Sequence, residues 1–126
     1  MNTYLKIKTV IDKESKRLQT EVDRYAELIA YAIGNVQGLE TAMRIKFLPQ
    51  SSLDTISREC DKELAMIKSL KESLNRYTQE QYNWTLSCKS MESHFISLCE
   101  HQWVNDGYNH HNGNDEFKCS ICGDRR

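Results

Sequence analysis

A mostly helical, all-α fold is predicted for this chain of 126 residues: a long antiparallel two-helix coiled-coil hairpin with a small C-terminal zinc-binding module. Three observations predict it. Apolar residues recur at alternating steps of three and four through most of the sequence, the single proline interrupts them near the middle, and three of the five cysteines fall in the last 28 residues. Five Gly and one Pro supply too few turns for a many-stranded sandwich or barrel. Residues 1–98 are assigned to the hairpin, with its turn near 47–52, and residues 99–126 to the metal-binding tail.

The first helix carries Lys8, Ser15, Val22, Ile29, Val36 and Met43 at heptad position a, and Tyr4, Ile11, Leu18, Tyr25, Ala32 and Leu39 at d. Ten of these twelve seam positions are apolar, and a repeat of 3.5 residues implies a left-handed supercoil. Pro49 then stops the helix, because it disfavours helical backbone before it and lacks an amide proton. Ser51, followed by Asp54, is the expected N-cap of the second helix, with the acid favoured in the first turn.

The second helix places Leu53, Cys60, Ile67, Leu74, Gln81, Cys88 and Phe95 at a, and Ile56, Glu63, Leu70, Tyr77, Trp84, Met91 and Leu98 at d. In an antiparallel pair the facing residue numbers share one sum. Tyr4 with Phe95, Ile29 with Leu70 and Leu39 with Cys60 all sum to 99, which centres the turn between Pro49 and Gln50. In that register Ser15 faces Trp84 and Lys8 faces Met91, whereas Glu63 and Gln81 face Val36 and Leu18 without an evident partner. Cys60 and Cys88 read as small buried seam residues.

Apolar residues also lie outside the seam, among them Leu28, Tyr31, Ile33, Leu64 and Met66, while Gly34 and Gly38 fall on outward positions. This pattern anticipates contact with other proteins through the hairpin, a second copy of the chain among them. Other helix-surface side chains can also be apolar in isolation, and sedimentation as a monomer would count against self-association.

Beyond Leu98 the composition changes. Cys99-x-His101 and Cys119-x-x-Cys122-Gly123 form a Cys3His set, with 17 residues between His101 and Cys119. Two thiolates on one tight turn, joined by a second Cys/His pair, make the soft tetrahedral environment that zinc favours. His110 and His111 are rival ligands in the loop Tyr108–Asn114, and the tighter spacing to Cys99 favours His101. Free thiols beside a disordered tail, or a redox CxxC pair, are competing readings; the latter lacks the strand-then-helix setting of such motifs. Gln102–Asn105 and Glu116–Lys118 are expected to pair as a short ribbon, with Trp103 and Phe117 covering one structural zinc ion. The set would lie beside the beginning of the first helix and close the open end of the hairpin.

Four protein ligands would close the site, and neither the His-Glu-x-x-His metalloprotease motif nor a zinc-deaminase motif is present. No catalytic residue is therefore assigned. A ubiquitin-ligase-type zinc domain would need ligands for two metals. The tail holds three basic residues, Lys118, Arg125 and Arg126, against five acidic ones, and the whole chain has a net charge of −1. That balance disfavours nucleic acid as a partner and ranks a zinc module on a dimerisation stalk that binds nucleic acid as the alternative function. The longest apolar run, Leu28–Ile33, is six residues, so no membrane span is expected. Unpaired cysteines and the lack of an apolar leader point to a reducing, intracellular setting.

A helical, coiled-coil-like part followed by Cys99, His101, Val104, Asp106, Cys119 and Cys122 resembles a group of small proteins encoded by giant (nucleocytoplasmic large) DNA viruses. The resemblance spans about 24 residues of the tail. Tyr108 stands near the place of a second acid usual in that group, and Phe117 lies one place before the usual aromatic position. The resemblance implies zinc ligation by Cys99, His101, Cys119 and Cys122, a zinc-ribbon-like tail, and a role as a minor capsid or other structural component of the virion. It implies no activity.

Overall fold

The computed structural model describes residues 2–126. Its elements run α1 (Thr3–Met43), α2 (Gln50–Ser90), α3 (Glu92–Ser97), β1 (Trp103–Asn109) and β2 (Asn114–Cys119). The protein is 71% helical, and its two long helices pack against each other. Each has 41 residues, a length of about 60 Å at 1.5 Å per residue. The chain divides into two compact units, one formed by the chain up to Lys16 with Asn83–Arg126, the other by Arg17–Tyr82.

Within Arg17–Tyr82 the predicted seam is the core. Ala32, Val36, Cys60 and Ile67 are buried together, and Leu39, Met43 and Leu70 pack against them. This cluster contains both members of the facing pairs Ala32/Ile67 and Leu39/Cys60. Tyr25 stacks on Tyr77 with ring centroids 5.5 Å apart. Gln81, unexplained by its facing residue Leu18, instead donates its amide to Gln19 Oε1 at 2.6 Å, one step round α1. Glu63 keeps its seam position half-buried, and its Oε2 has no hydrogen-bond partner among the described residues.

The turn corrects the expected cap. α1 ends at Met43, and Arg44 and Ile45 donate to the Thr41 and Ala42 carbonyls at 3.1 Å, tightening its last turn. Phe47 then adopts φ 68° and Leu48 leads into Pro49. The Pro49 carbonyl accepts the Ser52 and Leu53 amides at 3.0 and 3.1 Å. Pro49 thus holds the N-cap position, because its carbonyl accepts the first intrahelical bonds of α2. Ser51 lies inside the first turn, and Asp54, beyond that turn, accepts the Gln50 side-chain Nε2 at 2.9 Å through Oδ1.

In the other unit, Trp84 Nε1 donates to Ser15 Oγ at 3.0 Å, a direct contact between residues whose numbers sum to 99. The second helix is not continuous to Leu98, as the heptads suggested. It breaks at Met91, which is 45% exposed rather than in the seam. The Ser90 hydroxyl donates to the Ser87 carbonyl at 2.9 Å just before the break. Backbone bonds still bridge the break: Met91 donates to Ser87 and Phe95 donates to Met91, at 3.2 and 3.0 Å.

The tail ribbon is longer than the spacing suggested. β1 and β2 pair antiparallel from Trp103↔Cys119 to Asn109↔Asn114, with a bulge between Asn105 and Gly107. The bulge places Gly107 at φ 130°, and the Asn105 side chain accepts the Gly107 amide at 2.9 Å. The expected loop from Tyr108 to Asn114 is thereby reduced to a four-residue turn closed by Gly113 at φ 73°. Among the described residues no helix is long and apolar enough to cross a membrane.

Candidate metal centre

The four predicted ligands converge although they come from three separate places. Cys99 follows α3, where its amide closes onto the Ile96 carbonyl at 3.0 Å. His101 lies in the link to β1, and its ring packs on Trp103 at 4.8 Å between centroids. Cys119 ends β2, and Cys122 follows on a tight turn in which the Gly123 amide donates to the Cys119 carbonyl at 3.0 Å. Gly123 has φ 79°, a conformation for which glycine carries no steric cost.

The ligand atoms of Cys99, His101, Cys119 and Cys122 all lie within 4.8 Å of one another. The Cys99 and Cys119 sulfurs are 3.9 Å apart, and Cys122 Sγ is 3.3 Å from His101 Nδ1. Such a set could hold a metal ion. His110 and His111 stand in the turn at the opposite end of the ribbon, and neither belongs to this cluster. Asp106, one of the residues carrying the tail resemblance, is in an ion pair with Arg125 at 2.7 Å and is also outside the cluster.

Cys119 is only 1% exposed. Burial raises its thiol pKa, but the backbone amides of Cys122, Ile121 and Gln102 and the His101 ring outweigh that effect and bring it down to about 5. Its sulfur accepts the Gln102 and Ile121 amides at 3.4 Å each. Burial and the Cys122 thiol push Cys99 up to about 11, a rise that the Asn2 amide opposes. One sulfur is thus held ready as a thiolate, while another must lose its proton when a cation arrives.

Two features around the ligands escaped the sequence reading. The amide donors to Cys119 follow from the backbone of the turn and leave no side-chain signature. Asn2 does leave one, since Asn directly before a helical repeat is an N-cap signal. It is buried, and its amide donates to Cys99 Sγ at 3.7 Å and to the Glu100 carbonyl at 3.3 Å. No known protein-family model, curated protein or solved structure matches the chain.

Proposed function

We propose that this protein is a non-enzymatic scaffold in which one structural zinc ion, held by Cys99, His101, Cys119 and Cys122, fastens a helical hairpin that binds other proteins. The observation that carries the reading is the mutual approach of four soft donor atoms within 4.8 Å. A zinc–sulfur bond of 2.3 Å in a tetrahedron sets sulfur–sulfur edges of about 3.8 Å, and a sulfur–nitrogen edge of about 3.6 Å. The separations of 3.9 and 3.3 Å are close to those edges. Three thiolates and an imidazole favour zinc over magnesium or calcium, which prefer oxygen. Bound zinc would supply positive charge that keeps the thiolates ionised and the tail folded.

Four protein ligands complete a tetrahedron, an arrangement that suits a structural rather than a catalytic ion. Contact with other proteins is supported by large apolar side chains left exposed on the helices, including Leu28, Tyr31, Ile33, Leu64 and Met66. The tail is poorly suited to phosphate. Arg125 is engaged with Asp106 and lies 3.9 Å from Glu116, while Arg126 sits over the Trp103 ring at 5.8 Å. A reducing compartment would keep the ligand cysteines available to the metal. A place in the particle of a large DNA virus, as a minor structural component, rests on the tail resemblance alone.

Metal analysis of the purified full chain tests the proposal. One zinc per chain is expected, lost in the Cys119→Ser/Cys122→Ser double variant. Absence of stoichiometric zinc would overturn the metal assignment. Tight, salt-sensitive binding to DNA or RNA would instead favour the nucleic-acid-binding alternative.

A further inference from the structure

Asn2 does two things at once, and only one of them is capping. Its Oδ1 accepts the Tyr4 amide at 3.0 Å, and its carbonyl accepts the Lys6 amide at 3.2 Å. These bonds satisfy two donors of the first turn of α1. An acceptor oxygen suffices for that task, so Asp would serve equally well. Asparagine adds an NH2 group, which here is directed at Cys99 Sγ and the Glu100 carbonyl, 97 and 98 residues away in sequence. The side chain is shielded from water, with the residue 8% exposed, and a buried amide donor without a partner is costly.

We infer that Asn2 is a positioning residue of the metal centre, joining metal occupancy to the order of the first turn of α1. The inference rests on the zinc reading above and deepens it. When the ion is bound, Cys99 is a thiolate, and the amide donates to an ionised acceptor. Hydrogen bonds of this kind are about twice as strong as neutral ones. They also fix the orientation of the ligand, as outer-shell partners of metal sites commonly do. When the ion leaves, the Cys99 segment loses that anchor, and the two acceptors it presents to Asn2 are held less firmly. Linkage makes the effect reciprocal: the factor by which Asn2 tightens metal binding is the factor by which the metal favours the docked first turn.

Asn2→Asp separates the two roles. It keeps the capping oxygen but turns the donor into an anion facing the thiolate. In the full chain, cobalt(II) binding followed by its thiolate absorption, with zinc as competitor, is expected to weaken about 10–100-fold. Amide hydrogen exchange at Tyr4–Lys8 in the metal-free variant should match metal-free wild type, because the cap survives. Asn2→Ala should weaken metal binding to a similar extent and also speed exchange at Tyr4–Lys8. In wild type, chelation should speed exchange at the same amides. Unchanged metal affinity in Asn2→Asp, or exchange at Tyr4–Lys8 indifferent to chelation in wild type, would overturn the inference. A wild-type chain that takes up no cobalt or zinc would sink the metal reading itself, and this inference with it; the wild-type titration alone reveals that case.

Discussion

Phe47 holds a backbone conformation that L-residues with bulky side chains rarely adopt, and its ring is 99% exposed. The left-handed region costs a non-glycine residue about 1–2 kcal/mol, and no packing of the ring offsets it within this chain. Phe47→Gly should therefore stabilise the isolated protein by about 0.5–1 kcal/mol, after the greater flexibility of glycine in the unfolded chain is counted. A urea titration checks this; a lower midpoint would show that the ring contributes more than its exposure implies. The conformation had no signature in the sequence, since Phe carries no preference for it. The metal ligands were legible because spacing alone brings Cys119 and Cys122 onto one turn. Asn2 was not, because its contact with Cys99 joins residues 97 apart in sequence and depends on how the chain between them folds.

The two perturbed thiols give a pH dependence at the same scale. The ordinary thiol value is 9, and Cys119 in the folded tail is lowered to about 5. Its contribution to the metal-free fold is full above about pH 9 and is lost as pH falls through about 5. Cys99, raised to about 11, contributes below about pH 9 and loses that contribution as pH rises through 11. Protons compete with the cation for both sulfurs, so zinc affinity should weaken as pH is lowered. A chromogenic chelator follows the release. Metal affinity indifferent to pH would contradict ligation by thiolates.

At the scale of the elements, seam and outer face should respond differently to truncation. Ile67 is buried at 8% exposure in the cluster with Ala32, Val36 and Cys60, whereas Leu64, one turn away, is 49% exposed. Ile67→Ala should cost about 2–4 kcal/mol, measured by chemical unfolding. Leu64→Ala should cost less than about 1 kcal/mol in the isolated chain and show its effect on partner binding instead. Gly34 has open space where a Cβ would go, so Gly34→Ala should stabilise α1 by about 0.5–1 kcal/mol. Destabilisation would mean that the backbone there is less regular than a helix.

The heptads made this seam readable before any coordinates, because a period of 3.5 residues and one proline fix both register and turn. Trp84 on Ser15 and the Leu39/Cys60 layer follow that register. The interruption at Met91 was invisible to the same pattern, which records side-chain polarity and carries no mark of where the backbone ladder is interrupted. The length of the β1–β2 ribbon was missed for a related reason. Its outer half is made of Asn, Asp, Glu, Gly and Tyr, paired through backbone bonds and a bulge rather than through an apolar alternation.

For the molecule as a whole, helices and tail should depend on metal to different degrees. The helices have an apolar seam of their own. The tail buries chiefly Cys99 and Cys119, so little apolar burial holds it and an ion would add most of the cross-linking. Chelation should therefore leave most of the far-ultraviolet helical signal of this 71% helical chain and make residues 99–126 readily cleaved by protease. Collapse of the helical signal on chelation would show instead that the hairpin needs the metal throughout.

The bond between Asn2 and Cys99 also has a mechanical meaning. Tension applied across Thr3 and Leu98 peels paired helices apart one layer at a time, the weakest direction in which to load a coiled coil. The clasp stands across that line of attack, so peeling begins only after it gives way. Stripping the ion should therefore lower the force at which the pair begins to unzip, with little change in the force needed for the layers beyond.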